Sequence, residues 1–184
     1  KKFKVTTDSK HDFPVAPNLL DRKFDVQYPD QVYVGDITYI PTSEVARLIA
    51  GVPEEVLVVL DSAYAEFVEA DDYSDGSEFV TANDNVVMLR TFSKIYGMGG
   101  IRLGWGYAPD DVIDILNRMR SPFNVSYPAM VAGAAAIQDD EFLKKSQAHN
   151  KKWRGWTTEN IRALGLEVPD SVCNFILVRF PDDQ

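Results

Sequence analysis

The run Thr91-Phe92-Ser93-Lys94 is followed, eight residues after the lysine, by Arg102 in TFSKIYGMGGIRLGWG. A lysine amine attacks carbonyl carbons when its surroundings disfavour the ammonium form. Lys94 comes at the end of the apolar run Val86-Val87-Met88-Leu89, among hydroxyls and glycines. The hydroxyls of Thr91 and Ser93 and the guanidinium fork of Arg102 suit a phosphate. Upstream, the short apolar run Val56-Leu57-Val58-Val59-Leu60 ends in Asp61-Ser62-Ala63-Tyr64. Such a run predicts a strand buried on both faces, as in a parallel sheet. Open α/β sheets hold their ligands at the carboxyl ends of such strands, where Asp61 falls. An amine for an aldehyde, a grip for a phosphate, an acid for a ring nitrogen and the Tyr64 phenol for a ring oxygen describe a seat for pyridoxal 5′-phosphate (PLP). Its protonated ring serves as an electron sink.

Taken singly, these residues have plainer uses. Lys94 fits a surface lysine, Asp61 a helix N-cap, and Arg102 a partner for a carboxylate. Ser-x-Lys alone is common, and GMGG alone is a weak loop signal. The order and spacing of DSAY, then SK, then Arg102 carry the specificity.

DSAYAEF followed by TFSK and IRLGWG resembles the fold-type I PLP-dependent aminotransferases, most closely the histidinol-phosphate aminotransferase branch. Arg120-Ser121-Pro122-Phe123-Asn124-Val125-Ser126 and Cys173-Asn174-Phe175-Ile176-Leu177-Val178 share that likeness, which covers about residues 40 to 180. The resemblance implies that Lys94 carries the cofactor and shuttles the proton, that Asp61 pairs with the pyridine nitrogen, and that Tyr64 pairs with the phenolic oxygen. It implies that Thr91, Ser93 and Arg102 hold the phosphate. The implied reaction is transamination of histidinol phosphate, with aromatic amino acids as close alternatives and 2-oxoglutarate as amino acceptor. The implied partners are a small-molecule amino donor and a 2-oxo acid, with the active site shared across a homodimer. The family pattern also includes parts without a match here: an asparagine beside the ring, a phosphate-loop glycine, a stacking aromatic, a tyrosine from the partner subunit, and arginines that grip substrate. The expectation is a chain cut at both ends, and a PLP-fold remnant without activity is the alternative.

The first forty residues resemble something else, the catalytic-core entrance of insertion-sequence transposases related to retroviral integrases. The likeness rests on Pro17-Asn18-Leu19-Leu20-Asp21-Arg22, Phe24, Pro29, Val32, Val34 and Asp36-Ile37-Thr38-Tyr39-Ile40. Position 33, usually tryptophan in that family, is Tyr33. By that pattern Asp36 is the first of three metal-binding acids. One aspartate makes no two-metal site, so no metal is expected. The sequence reads as a chimera with a transposase-like segment 1–40, a partial PLP-binding large domain 41–138, and an interdomain helix opening a small domain over 139–184. A DNA-associated chimera is the further functional alternative.

Composition narrows the classes. The 184 residues are 45% hydrophobic and 26% charged, enough for one sizeable core. The net charge of −9 argues against general nucleic-acid binding, although residues 1–24 hold six Lys/Arg against three Asp/Glu. The single cysteine, Cys173, lies in an apolar run and implies a small buried hydrophobe, with no disulfide framework. No window reaches the ~18 apolar residues of a membrane span. No secretion signal is visible, so the cytoplasm is the expected compartment. His11 and His149 lack ligand-spaced neighbours and are expected to be exposed.

The elements that must position the site alternate. Thr42 or Ser43 is expected to cap a helix over Glu44–Ala50, which stops at Gly51 and Pro53. Strands are expected at 55–60, 85–90, 101–108 and 172–180, and helices at 110–120, 126–138 and 139–164, with a surface loop or broken helix over 65–84. Val112, Ile115, Leu116 and Met119 share one helical face. Trp105 is expected to be buried, and Trp153 and Trp156 to be core or helix-packing residues. The fold class is α/β: a mixed, mostly parallel sheet flanked by helices, followed by a long helix and the start of a small α+β domain.

Overall fold

The computed structural model describes residues 40–180. Residues 1–39, with Asp36 and nearly all of the segment expected to resemble a transposase, lie outside the described residues.

Two β-branched stretches form the parallel pair of a three-stranded sheet. Strand β1, Val58–Asp61, pairs in parallel with β2, Val86–Thr91, in the register Val58 to Val86 through Asp61 to Leu89. Strand β3, Gly104–Tyr107, adds antiparallel to β2, giving the order β1-β2-β3. The sheet is therefore mixed, with β2 at its centre.

Helix α1, Thr42–Gly51, precedes β1, and the short helix α2, Ser77–Ala82, leads into β2. Together they cover the β1–β2 layer. Ile49, Val80, Val86 and Met88 are buried in one cluster, with Val45, Val58, Leu60 and Phe79 packed against it. Gly76 caps α2 at φ +94°, and a Cβ there would stand 2.7 Å from Leu60 Cδ1. Glycine suits the position because it adopts positive φ freely and takes no room.

Helices α3, Asp110–Met119, and α4, Tyr127–Ala136, follow the sheet. Ser126 caps α4 by accepting from Ala129 N–H at 3.3 Å. A Cβ on Gly133 would collide with Leu103 Cδ2, so α4 rests directly on the segment leading into β3. Helix α5, Asp140–Ala163, is 24 residues long, about 36 Å at 1.5 Å per residue. Asp139 caps it through Phe142 N–H at 2.9 Å. The 3₁₀ turn Ala65–Phe67 follows β1.

Several expectations are corrected. Helix α1 starts at Thr42 with Pro41 as its N-cap, and the Thr42 hydroxyl donates instead to the Asp72 carbonyl at 2.8 Å. Strand β1 is shorter than its apolar run and is not buried on both faces: Val56, Leu57 and Val59 are about half exposed. It stands at the edge of the described sheet, without a neighbour beyond it. No strand forms over 172–180 among the described residues. That segment bends over 172–174, and its one bridge joins Arg179 to Glu167. The α3 face with Ile115, Leu116 and Met119 is exposed rather than packed. Trp105 is 43% exposed and lies over the Arg90 guanidinium at 5.6 Å. Trp153 and Trp156 are exposed as well and pack edge-to-face on each other at 5.8 Å. Cys173 is buried, as its apolar run implied, and burial pushes its thiol pKa up.

Candidate active site

Strand β1 delivers Asp61 at its carboxyl end, and the turn that follows delivers Tyr64. The Asp61 carboxylate is exposed and accepts from Ala63 N–H at 3.2 Å, closing a tight turn. Ser62 N–H donates to the Leu89 carbonyl at 2.9 Å and extends the β1–β2 ladder by one bond. Tyr64 is half-buried, with its ring against Phe67 at 6.1 Å and edge-on to Phe175 at 5.5 Å.

Strand β2 delivers the other half. It ends at Thr91, whose hydroxyl accepts from Ser93 N–H at 3.1 Å and donates to the Leu103 carbonyl at 3.4 Å. The chain then winds through Ser93 and Lys94, with Gly97 N–H donating to the Lys94 carbonyl and Met98 N–H to the Phe92 carbonyl, each at 3.0 Å. Gly97 adopts φ +67°, which lets the loop turn back toward β3. Lys94 Nζ stands 4.9 Å above the centre of the Tyr64 ring. Amine and phenol thus meet, although 30 residues separate them in the chain.

Arg102 takes φ +59°, a left-handed conformation that non-glycine residues rarely adopt. Its Nη1 donates to the Gly99 carbonyl at 2.7 Å. Gly99 in turn abuts Ser93, since a Cβ on it would lie 3.6 Å from the Ser93 carbonyl oxygen. Ser93 and Arg102 therefore flank the same glycine. The described structure joins Lys94 to Tyr64, Thr91 to Ser93, and Arg102 to the Ser93 loop through Gly99. Asp61 stands at the strand end with its carboxylate on its own turn.

Sequence reasoning assigned no role to three ionised residues around this constellation. Arg90 donates from Nη2 to Glu66 Oε1 at 2.6 Å and from Nη1 to Asp75 Oδ2 at 2.7 Å. Glu66 lies inside DSAYAEF and Arg90 immediately precedes TFSK, but nothing in the motifs marks them as a pair. Burial works against the Arg90 charge, but the two carboxylates outweigh it and raise its pKa.

A cleft of about 510 Å³ opens beside Lys94, between Ile95, helix α5 and residues 174–176. Phe67, Phe142, Trp153 and Phe175 supply flat apolar walls, and Lys145, His149 and Arg154 supply cations or protonatable nitrogen. None of its lining residues is an aspartate or glutamate, in a chain whose net charge is −9. His149 is exposed, as expected from the sequence. Among the described residues no group of three or more His, Cys, Asp and Glu gathers as a metal site.

The family model for aminotransferase class I and II matches residues 38–184. The chain belongs to the class I and II aminotransferases. The histidinol-phosphate aminotransferase of Paramagnetospirillum magneticum is 54% identical over 146 residues, 79% of this chain and 40% of that protein. That of Rhodospirillum centenum is 56% identical over 143 residues, 78% of this chain and 40% of that protein. Among solved structures, the histidinol-phosphate aminotransferase of Sinorhizobium meliloti in complex with pyridoxal-5′-phosphate superimposes with a TM-score of 0.75 at 29% identity. It covers 79% of this chain and 40% of that one. The chain thus spans 40% of the length of these relatives. The aminotransferase resemblance and the α/β fold expected from the sequence are both borne out. Among the described residues no helix is long and apolar enough to cross a membrane.

Proposed function

We propose that this chain carries one half of a PLP-dependent aminotransferase site, and that the whole protein transaminates histidinol phosphate with 2-oxoglutarate as acceptor, in the cytoplasm. The reading rests above all on the contact of Lys94 Nζ with the Tyr64 ring at the carboxyl ends of two parallel strands. The donor set fits the cofactor group by group. Lys94 would take its aldehyde, Tyr64 its ring oxygen and Asp61 its ring nitrogen, while Thr91, Ser93 and the remaining N–H groups of Arg102 would hold its phosphate.

When bound, PLP supplies a ring that withdraws electrons from the substrate α-carbon. Asp61 would hold the proton on the ring nitrogen. Tyr64 orients the ring oxygen and, by its position under the amine, limits where Lys94 Nζ can swing. Lys94 would take the proton from the substrate α-carbon as a general base and give it up again as a general acid. The aromatic and cationic cleft beside Lys94 suits a substrate with a flat ring and an anionic tail, which supports an imidazole-bearing phosphate over a plain aliphatic amine. We assign the remaining contacts to a second copy in a homodimer. The small-molecule partners are an amino donor and a 2-oxo acid.

The test is an absorbance titration with PLP, followed by borohydride reduction and peptide mapping. The label is expected on Lys94 and is expected to vanish in Lys94→Ala. A label on another lysine, or one that survives that substitution, refutes the assignment. Turnover of glutamate with an imidazole keto acid then separates an enzyme from an inactive remnant.

A further inference from the structure

We propose that Arg90 and Glu66 are positioning residues, whose ion pair locks the Tyr64 turn against the Lys94 loop so that phenol and amine face the cofactor together. This rests on the cofactor reading above. Glu66 lies two residues after Tyr64, and Arg90 lies four before Lys94. The β1–β2 ladder runs on as far as the Ser62 N–H to Leu89 carbonyl bond. Beyond it the two chains separate, and the 2.6 Å bond from Arg90 Nη2 to Glu66 Oε1 spans the gap.

Its surroundings are built to hold it. The side chains of Arg90 and Glu66 are 13% and 9% exposed. Gln147 of α5 donates to the Glu66 carbonyl at 2.6 Å, and Lys151 pairs with Glu69 at 2.6 Å, so α5 braces the turn from outside. Asp75 takes the other end of the guanidinium and anchors the start of α2 through Ser77 N–H at 3.0 Å. Glu66 Oε2 and Arg90 Nε are buried without a hydrogen-bond partner. A buried ion pair of this kind adds little to stability over apolar packing. A charged hydrogen bond is directional, however, and it fixes the rotation of the turn as a greasy contact does not. Geometry at Tyr64 is the property that such a pair supplies.

The experiment titrates PLP by absorbance into wild type, Glu66→Gln, Tyr64→Phe, the Glu66→Gln/Tyr64→Phe double variant and Asp75→Asn, with urea unfolding of each. Glu66→Gln keeps Arg90 paired with Asp75, so folding is expected to survive. The expected result is an affinity loss of about tenfold in Glu66→Gln, a similar loss in Tyr64→Phe, and little more in the double variant, because one residue acts through the other. Asp75→Asn changes the other partner of the same guanidinium, leaves the Ser62 Oγ bond to the Asp75 backbone carbonyl in place, and is expected to hold affinity within about threefold. Additive losses, or equal losses in Glu66→Gln and Asp75→Asn at matched stability, overturn the proposal. Should wild type take no PLP, the functional reading falls, and amide hydrogen exchange decides the positioning claim. Glu66→Gln must then speed exchange over 62–68 and 92–97 together, and an unchanged second segment overturns it. Should Glu66→Gln not fold, Arg90→Lys, which keeps a charged partner for Glu66, enters the same titration under the same criteria.

Discussion

Replacing Arg90 with methionine isolates the energetics of the buried charges. The Glu66 side chain is 9% exposed, whereas that of Asp75 is 37% exposed. After Arg90→Met, Asp75 still reaches water and keeps its bonds from Ser77, so it contributes little to the loss. Glu66 loses the guanidinium it pairs with and is left a buried carboxylate without that partner. Removing one partner of a buried ion pair typically costs about 3–5 kcal/mol. With a urea slope of about 2 kcal/mol per molar for a domain of this size, the midpoint should fall by about 2 M. The double variant Arg90→Met/Glu66→Leu removes both charges and should recover most of that loss, because apolar replacement of a whole pair is often neutral. Urea unfolding followed by circular dichroism, with wild type and both single variants in parallel, measures all terms. A loss below about 1 kcal/mol in Arg90→Met, or a double variant worse than either single one, refutes the account of a desolvated, mutually dependent pair.

Three further outcomes follow from other features. Arg102→Gly relieves the left-handed backbone strain, worth about 1 kcal/mol, so the unfolding midpoint should hold or rise while PLP retention falls; a parallel loss of both, read by urea melts and cofactor titration, counts against a phosphate role. Gly104→Ala puts a Cβ 2.8 Å from the Arg90 carbonyl oxygen and should lower stability by about 1–3 kcal/mol in the same assay. For Asp75, burial works against the charge, but the Ser77 and Arg90 contacts outweigh it and hold its pKa below the ordinary carboxylate value of 3.8. A lowered folded-state pKa contributes stability that is present above the ordinary value and lost as pH falls through the folded one. Stability should therefore drop below about pH 4 with a shallower slope in Asp75→Asn than in wild type, and identical slopes in a pH series of urea melts would remove Asp75 from the acid response.

The relatives supply a context for the exposed apolar surface. Val56, Leu57 and Val59 on and before the edge strand, and Ile115, Leu116 and Met119 on α3, are about half exposed or more. The chain spans 40% of the length of the proteins it matches, and the same residue types are the ones that a parallel sheet buries on both faces.

Local sequence determined the elements that carry the site. The β-branched runs made β1 and β2, and helices α3, α4 and α5 fall within two residues of their expected bounds, because each signal acts within a few residues; α2 is the helical part of the stretch expected as a surface loop or broken helix. The motif order also indicated the chemistry, since an amine, an acid, a phenol and a phosphate grip have few joint uses. Burial was less legible. The apolar patterns of α3 and of Trp153 and Trp156 say that a face can be covered, and only neighbouring elements decide whether it is. The strand expected over 172–180 failed for a related reason: a strand needs a ladder partner, and this segment meets α5 side chains instead, through Asn150 and Arg154 to the Cys173 and Val172 carbonyls. The Arg90–Glu66–Asp75 cluster was beyond sequence altogether, because it joins positions 15 and 24 residues apart that approach only when β1 and β2 align. Residue identity set what each group could do. The parallel register of two strands decided which groups stand close enough to do it together.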